Sequence, residues 1–239
     1  MILLSLDFET TGVDPYNDRI IEVGAVLYST GQHKSLENFG CLVKTDKIIT
    51  PEITGITGIT QSAVDKFGYE SIEALDILQQ MVYSADCFIG YNCRRFDKRV
   101  YEQWVSLHNY TAAPKPWIDV FMDLPIGVPV GKLSHTAADH GILNLFPHSA
   151  LADAQTVIAV ASKYDPNLLL SRAQSPVVIA IAKTSRSEND LVKKAKFRWN
   201  PGRKIWWKAL KQNDVDAFKK LVPFNVEFNT ELTTEELDG

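Results

Sequence analysis

Hydrophobic positions change period along the chain. Residues 2–8 of "MILLSLDFETTG" are apolar on both faces until Asp7, the pattern of a strand buried centrally in a sheet. "RIIEVGAVLY" (19–28) and "ENFGCLV" (37–43) read as two more strands, with Gly31 at the turn between them. "PEITGITGIT" reads as a loop punctuated by Pro and Gly. The period then becomes helical: Ile72, Leu75, Leu78 and Val82 share one face of "SIEALDILQQMVY". "CFIGYN" is a short buried strand, and Phe96, Val100, Trp104 and Leu107 stripe the next helix. Two more helices are predicted, from about Lys132 to His140 and from Ser149 to about Tyr164. Strands that come first and then alternate with helices imply an α/β or α+β sheet with helices packed on it.

Past a connector, "YDPNLLLSRAQSP", the pattern restarts. "VVIAIAKT", "KIWWKAL" and "FNVEF" read as strands, "ENDLVKKAKFRW" and "QNDVDAFKKL" as helices, and together they predict a small βαβαβ unit. The expected divisions are residues 1–166, a linker at 167–176, the small unit at 177–228 and a disordered acidic tail at 229–239.

Charge sharpens that division. The net charge of −4 conceals 12 Lys and Arg against 20 Asp and Glu in residues 1–171, and 13 against 5 in residues 172–228. The last eleven residues carry four acids and no base. Opposite segments imply different partners, and the basic one is suited to phosphates. No apolar run is long enough to span a bilayer, and the opening reads as a strand rather than a signal peptide. Three cysteines without CxxC spacing fit a reducing, cytoplasmic compartment.

Asp7 and Glu9 end the first strand. Alternate strand residues face the same way, so the two acids stand about 6–7 Å apart on one face. Taken alone, the pair reads first as a strand end reaching solvent. Asp153 lies on the apolar stripe of the last large helix beside Ala150, Ala154, Val157 and Val160, where a carboxylate needs a partner. Asp97 begins a helix after the buried strand "CFIG"; alone it is an ordinary first-turn acid. No Lys or Arg adjoins Asp7, Glu9 or Asp153 in sequence. Hard oxygen donors without Cys or paired His suit Mg2+ or Mn2+. His148, five residues before Asp153, is placed to move a proton.

The segments "LDFETTG", "GYNCRRFD" and "HSALADA" resemble, in order, the three motifs of the DEDDh, or DnaQ-like, 3′–5′ exonucleases, over roughly residues 1–164. The resemblance implies an RNase H-like mixed sheet flanked by helices and two-metal hydrolysis of nucleic-acid 3′ ends to nucleoside 5′-monophosphates. It implies that Asp7, Glu9, Asp97 and Asp153 hold two Mg2+ or Mn2+ ions and that His148 is the general base. Thr10, Thr11, Gly12, Ile56, Thr57, Asn92 and Phe96 would contact the terminal nucleotide. Two departures bear on substrate preference: Tyr91 and Thr57 stand where many relatives have histidine.

In the basic segment, Lys194, Lys196, Arg198, Arg203, Lys204 and Lys208 interleave with Phe197, Trp199, Trp206 and Trp207. Charge with aromatics fits a platform for single strands; equally, tryptophan serves as core mass beneath a solvated lysine face. Because Trp206 and Trp207 are adjacent on a strand, one is expected in the core and one available. The expectation is a cytoplasmic metal-dependent 3′–5′ exonuclease acting on single-stranded DNA more than RNA, with a basic tether. Its rivals are an RNA-trimming enzyme of the same chemistry and a non-catalytic partner of a polymerase or repair protein.

Overall fold

The structure, a computed structural model, describes residues 1–238. The chain forms two compact units, the first Met1–Ala173 and the second beginning at Gln174.

In the first unit, strands β1 (Ile2–Thr10), β2 (Ile20–Ser29), β3 (Lys34–Leu42), β4 (Cys87–Gly90) and β5 (Trp117–Asp119) form one sheet in the order β3-β2-β1-β4-β5. β1 is central, antiparallel to β2 and parallel to β4. The helices are α1 (Pro51–Thr57), α2 (Gln61–Phe67), α3 (Ser71–Ser84), α4 (Asp97–Leu107), α5 (Val120–Asp123), α6 (Leu133–Asp139), α7 (Ala150–Ala161) and α8 (Pro166–Gln174).

The parity of β1 decides where its acids go. Leu4, Leu6 and Phe8 pack with Leu75 and Leu78 of α3 and Val100 and Trp104 of α4. Leu3 belongs to the opposite layer, with Val157 and Val160 of α7 and Leu169 of α8. Ser5 faces the same way, its hydroxyl donating to the Ala154 carbonyl of α7 at 2.9 Å. Asp7 and Glu9 continue this odd-numbered row, so they emerge on the face that α7 crosses.

Three parts of this unit differ from expectation. "PEITGITGIT" forms helices α1 and α2 rather than a loop. Thr50 caps α1 by accepting from Ile53 N, Pro51 starts it, and Gly58 ends it in the left-handed region at φ 73°; such Pro and Gly bound a helix rather than forbid one. The expected linker is helix α8, which buries Leu169 and Arg172; Arg172 donates to the carbonyls of Asp123 and Leu124. Strand β5, three residues long, was not foreseen.

The second unit contains β6 (Val177–Lys183), β7 (Arg198–Asn200), β8 (Ile205–Lys211) and β9 (Asn225–Asn229), in the order β7-β8-β6-β9, every neighbouring pair antiparallel. Its helices are α9 (Asn189–Lys194), α10 (Val215–Leu221) and α11 (Thr234–Asp238). The expected βαβαβ order therefore gains a strand: "RWN" leaves the predicted helix and pairs with "IWW" as a hairpin. The tail is not structureless either. Leu237 of α11 is buried against Trp207, Ile179 and Ile181, and its carbonyl accepts from Asn200 Nδ2 at 2.9 Å. The last residue of that expected tail, Gly239, lies outside the described residues.

Candidate active site

Gly24 stands opposite Asp7 in the β1–β2 ladder. A Cβ there would lie 2.0 Å from the carbonyl carbon of Ala150, so only glycine lets the first turn of α7 lie directly on β2. Side-chain burial holds α7 down: Ala154, Val157 and Val160 are fully covered, and each large apolar side chain contributes about 1.5–3 kcal/mol. Asp153, one turn into α7, is thereby carried over the end of β1 and is 9% exposed.

A third element brings Asp97. It opens α4 and is 6% exposed, and its Oδ1 accepts from Phe8 N at 3.3 Å, between Asp7 and Glu9 on β1. α4 is fixed by Trp104, whose ring meets Phe8 edge-on at 6.1 Å and whose Nε1 donates to Ser71 Oγ at 2.8 Å.

Electrostatics report how closely these groups converge. Asp7 is pushed well above the usual carboxylate range by burial, then by the charges of Asp97, Asp153, Glu9 and Glu22. Burial and the charge of Glu22, with those of Asp153 and Asp97, raise Glu9 to about 8. Burial raises Asp97 to about 7. Asp153 is also raised by burial, against the lowering effect of donors from Asn144 and His148. The charges named as acting on Asp7 and Glu9 are all carboxylates. Gathering carboxylates this way is costly unless protons or cations neutralise them.

Side-chain atoms of Glu9, His148 and Asp153 that are able to bind a cation all lie within 4.8 Å of one another. Asp7 and Asp97 are joined to this trio through charge rather than as members of so tight a group. The set is hard oxygen with one imidazole, which fits Mg2+ or Mn2+.

His148 is exposed, and its backbone is left-handed at φ 64°. That conformation turns its N–H onto Asp153 Oδ2 at 3.0 Å, while Asn144 Nδ2 holds the other oxygen at 2.5 Å. Both oxygens of Asp153 are thus oriented by the loop before α7.

The residues expected to contact a nucleotide are more scattered. Thr10 ends β1, where the ladder with β2 is irregular, and Thr11 follows it. Their hydroxyls are engaged within the loop, Thr10 on the Gly12 carbonyl at 2.5 Å and Thr11 on Asp18 at 3.0 Å. Asn92 is left-handed at φ 54°, its N–H on Asp119. Phe96 caps α4 and packs on the core. Ile56 and Thr57 lie on α1; Ile56 is half exposed, and the Thr57 hydroxyl donates to the Ile53 carbonyl. Tyr91 bridges to Gly131 O and Thr136 Oγ1 at 2.7 and 2.6 Å, tying β4 to α6.

Sequence reasoning missed three residues. Glu22, opposite Glu9 on β2, accepts from Ala150 N at 3.0 Å and Ser149 Oγ at 3.3 Å, anchoring the start of α7. The signal was an acid inside the apolar run "RIIEVGAV". Asp119 is 1% exposed and receives the N–H groups of Asn92 and Arg94; an acid after "PWI" was again the sign. Asn144 gave none.

In the basic unit, Trp207 is in the core at 1% exposure and Trp199 is 47% exposed; Trp206 lies between them, its Nε1 on Asn189 Oδ1 at 3.2 Å. The Arg198 guanidinium lies over the Trp207 ring at 4.5 Å. Lys208 is tied to the Ala195 carbonyl at 2.8 Å, with its pKa lowered by burial and by Lys196. Arg203 and Lys204 are in the β7–β8 turn, and Lys194 and Lys196 end and follow α9.

A central mixed strand ending in acids beneath a crossing helix with a further acid defines a nuclease-like site. The family model described as "Exonuclease" (RNase_T) matches residues 4–161, and the chain belongs to that family. The PolC-type DNA polymerase III of Thermotoga maritima is 32% identical over 165 residues, 66% of this chain but 11% of that protein. The 3′-5′ exonuclease DinG of Staphylococcus saprophyticus is 28% identical over 154 residues, 63% of this chain and 17% of its own length. The chain therefore spans a small part of the curated relatives it matches. Among solved structures, E. coli exonuclease I with a dA16 oligonucleotide superposes with a TM-score of 0.61 at 20% identity, covering 76% of this chain and 48% of that one. The first unit is thus an RNase H-like mixed sheet flanked by helices. Among the described residues, no helix is long and apolar enough to cross a membrane.

Proposed function

We propose that the chain is a metal-dependent 3′–5′ exonuclease that removes nucleoside 5′-monophosphates from the 3′ ends of DNA. The observation that carries this is the convergence of Asp7, Glu9, Asp97 and Asp153, all four raised by burial, with the neighbouring carboxylate charges raising Asp7 and Glu9 further. A binding role alone gives no reason to concentrate acids against their own repulsion.

Asp7, Glu9 and Asp153 would hold one Mg2+ or Mn2+, with Asp7 and Asp97 serving a second. When bound, two such ions supply positive charge to the attacking and leaving oxygens of the scissile phosphodiester. The chain's own groups do the rest. His148 takes a proton from the attacking water at a ring nitrogen, from a position beside Glu9 and Asp153. Asn144 and the His148 N–H keep Asp153 in one orientation, which matters because small misplacements at such a site lower the rate steeply. Thr10, Thr11 and Gly12 shape the rim at the end of β1, and Ile56, Thr57, Asn92 and Phe96 complete the bed for the terminal nucleotide. The basic second unit retains the strand near an acidic nuclease that would otherwise repel it.

Incubation of a 5′-labelled DNA oligonucleotide with Mg2+ tests the proposal. The expected result is stepwise shortening with release of 5′-monophosphates, abolished by Asp153→Ala without loss of fold. No shortening at stoichiometric protein would favour the non-catalytic alternative. Faster loss of a matched RNA strand would make it an RNA-trimming enzyme.

A further inference from the structure

The second unit carries a groove of about 610 Å3 at one end of its sheet. Strand register explains it. Trp206 is paired with Ala182 on one side and Trp199 on the other, and directly paired residues share a face. Ala182 is too small to fill the space beside the indole, so the cleft stays open. Asn189 pins Trp206 through its Nε1. The ring of Trp199, 5.3 Å away and tilted by 55°, cannot stack on it and remains 47% exposed.

The charged side chains that line the groove have one sign. Lys183, Arg186 and Lys204 line it, and no Asp or Glu does. Lys183 is occupied by Glu227 at 2.7 Å. Arg186 and Lys204 are exposed, with no carboxylate in salt-bridge range among the described residues. Other cations of the basic segment are differently employed: Lys208 is tied to a carbonyl and Arg198 covers the buried Trp207.

We infer that this groove binds single-stranded DNA, an unpaired base stacking on Trp199 against the fixed Trp206 while Arg186 and Lys204 meet the flanking phosphates. An aromatic face bounded by free cations is complementary to a base with its own phosphates. A duplex, whose bases are already stacked, does not satisfy the site. The choice of DNA rests on the hydrolase reading above; the groove and its residues do not.

The test is equilibrium binding of a fluorescent oligo(dT) strand to the full chain in EDTA, so that no cleavage occurs. Trp199→Ala should weaken binding about tenfold and Trp199→Phe should restore most of it. Arg186→Ala and Lys204→Ala should each flatten the dependence of log K on log salt by about 0.7, while Lys220→Ala, on α10, leaves Trp199-dependent binding intact. Unchanged affinity for Trp199→Ala, or equal competition by a duplex of the same length, overturns the assignment. Failure of the hydrolase reading would appear separately, as intact substrate when Mg2+ replaces EDTA.

Discussion

The backbone of Ala150 occupies the space that a side chain at Gly24 would need, with Ala150 C, Ala150 O and Leu151 N all within 2.2 Å of an added Cβ. Gly24 faces Asp7 across the ladder, so this contact sets the distance between the two strands' acids and Asp153. A methyl group there meets backbone, which cannot swing aside. Gly24→Ala is expected to lift α7, destabilise the protein by about 1–3 kcal/mol, and remove most Mg2+-dependent activity. Gly31→Ala, with nothing within 4 Å, serves as the comparison. Urea titrations and nuclease assays of both variants check this; an active Gly24→Ala would mean that α7 is not positioned by this contact.

Glu22 has two separable roles. It anchors the first turn of α7 and is the foremost charge raising Glu9. Glu22→Ala should cost about 1 kcal/mol, the usual loss when a helix start loses its acceptor. Glu22→Gln keeps an oxygen for Ala150 N but removes the charge, so Glu9 should ionise at lower pH and the acid limb of the activity profile should move down. An unmoved limb with Glu22→Gln would detach Glu22 from the site's electrostatics.

Much of the first unit was legible because strand and helix periods are plain there. The parity of Leu3, Ser5, Asp7 and Glu9 already placed the acids on one face, and the burial of Asp153 followed from its helical stripe. Glu22 escaped because its partner is the start of a helix more than a hundred residues away, a relation that spacing does not encode. In "PEITGITGIT", Pro51 and Gly58 read as breakers although they bound helix α1, and Gly55 is carried inside it. In the second unit the run of charges in "KKAKFRW" hid a strand whose pairing with β8 is a tertiary fact. The acidic tail hid Leu232 and Leu237 among four carboxylates.

Leu237 tests that last point. It is 4% exposed against Trp207. If α11 completes this core, Leu237→Ala should lower the stability of the second unit by about 2–5 kcal/mol, as deletion of a buried leucine side chain does. Tryptophan fluorescence during denaturation reads it directly. Nuclease activity on a dinucleotide should be unchanged. Wild-type unfolding in Leu237→Ala would return the tail to the disordered state expected from its composition.

His148 lies close enough to Glu9 and Asp153 to be read either as a cation ligand or as a base. The two roles predict different losses. As a base, His148→Ala should slow turnover by about 10²–10⁴-fold while Mg2+ still raises the melting temperature as in wild type. As a ligand, it would lose both. Thermal shift measured beside single-turnover rates distinguishes them, and because the side chain is exposed the circular dichroism of the variant should match wild type.

The carboxylates also fix how stability should vary with pH. Glu9 and Asp97 ionise at about 8 and about 7 in the folded chain, above their ordinary values of 4.5 and 3.8. A group with a raised folded-state pKa binds its proton more tightly when folded, so its contribution is complete below the unfolded value and is lost as pH rises through the folded one. In EDTA the melting temperature should therefore fall between about pH 4.5 and 8 on account of this cluster. Mg2+ replaces those protons, so the increment it gives should grow over the same interval. The charges of Asp97, Asp153, Glu9 and Glu22 around Asp7 spread the change over the whole window rather than one step. Scanning fluorimetry at several pH values, with EDTA and with saturating Mg2+, measures both curves. A magnesium increment independent of pH would show that the ion binds elsewhere, and Asp153→Ala should reduce the increment at pH 8 far more than at pH 5.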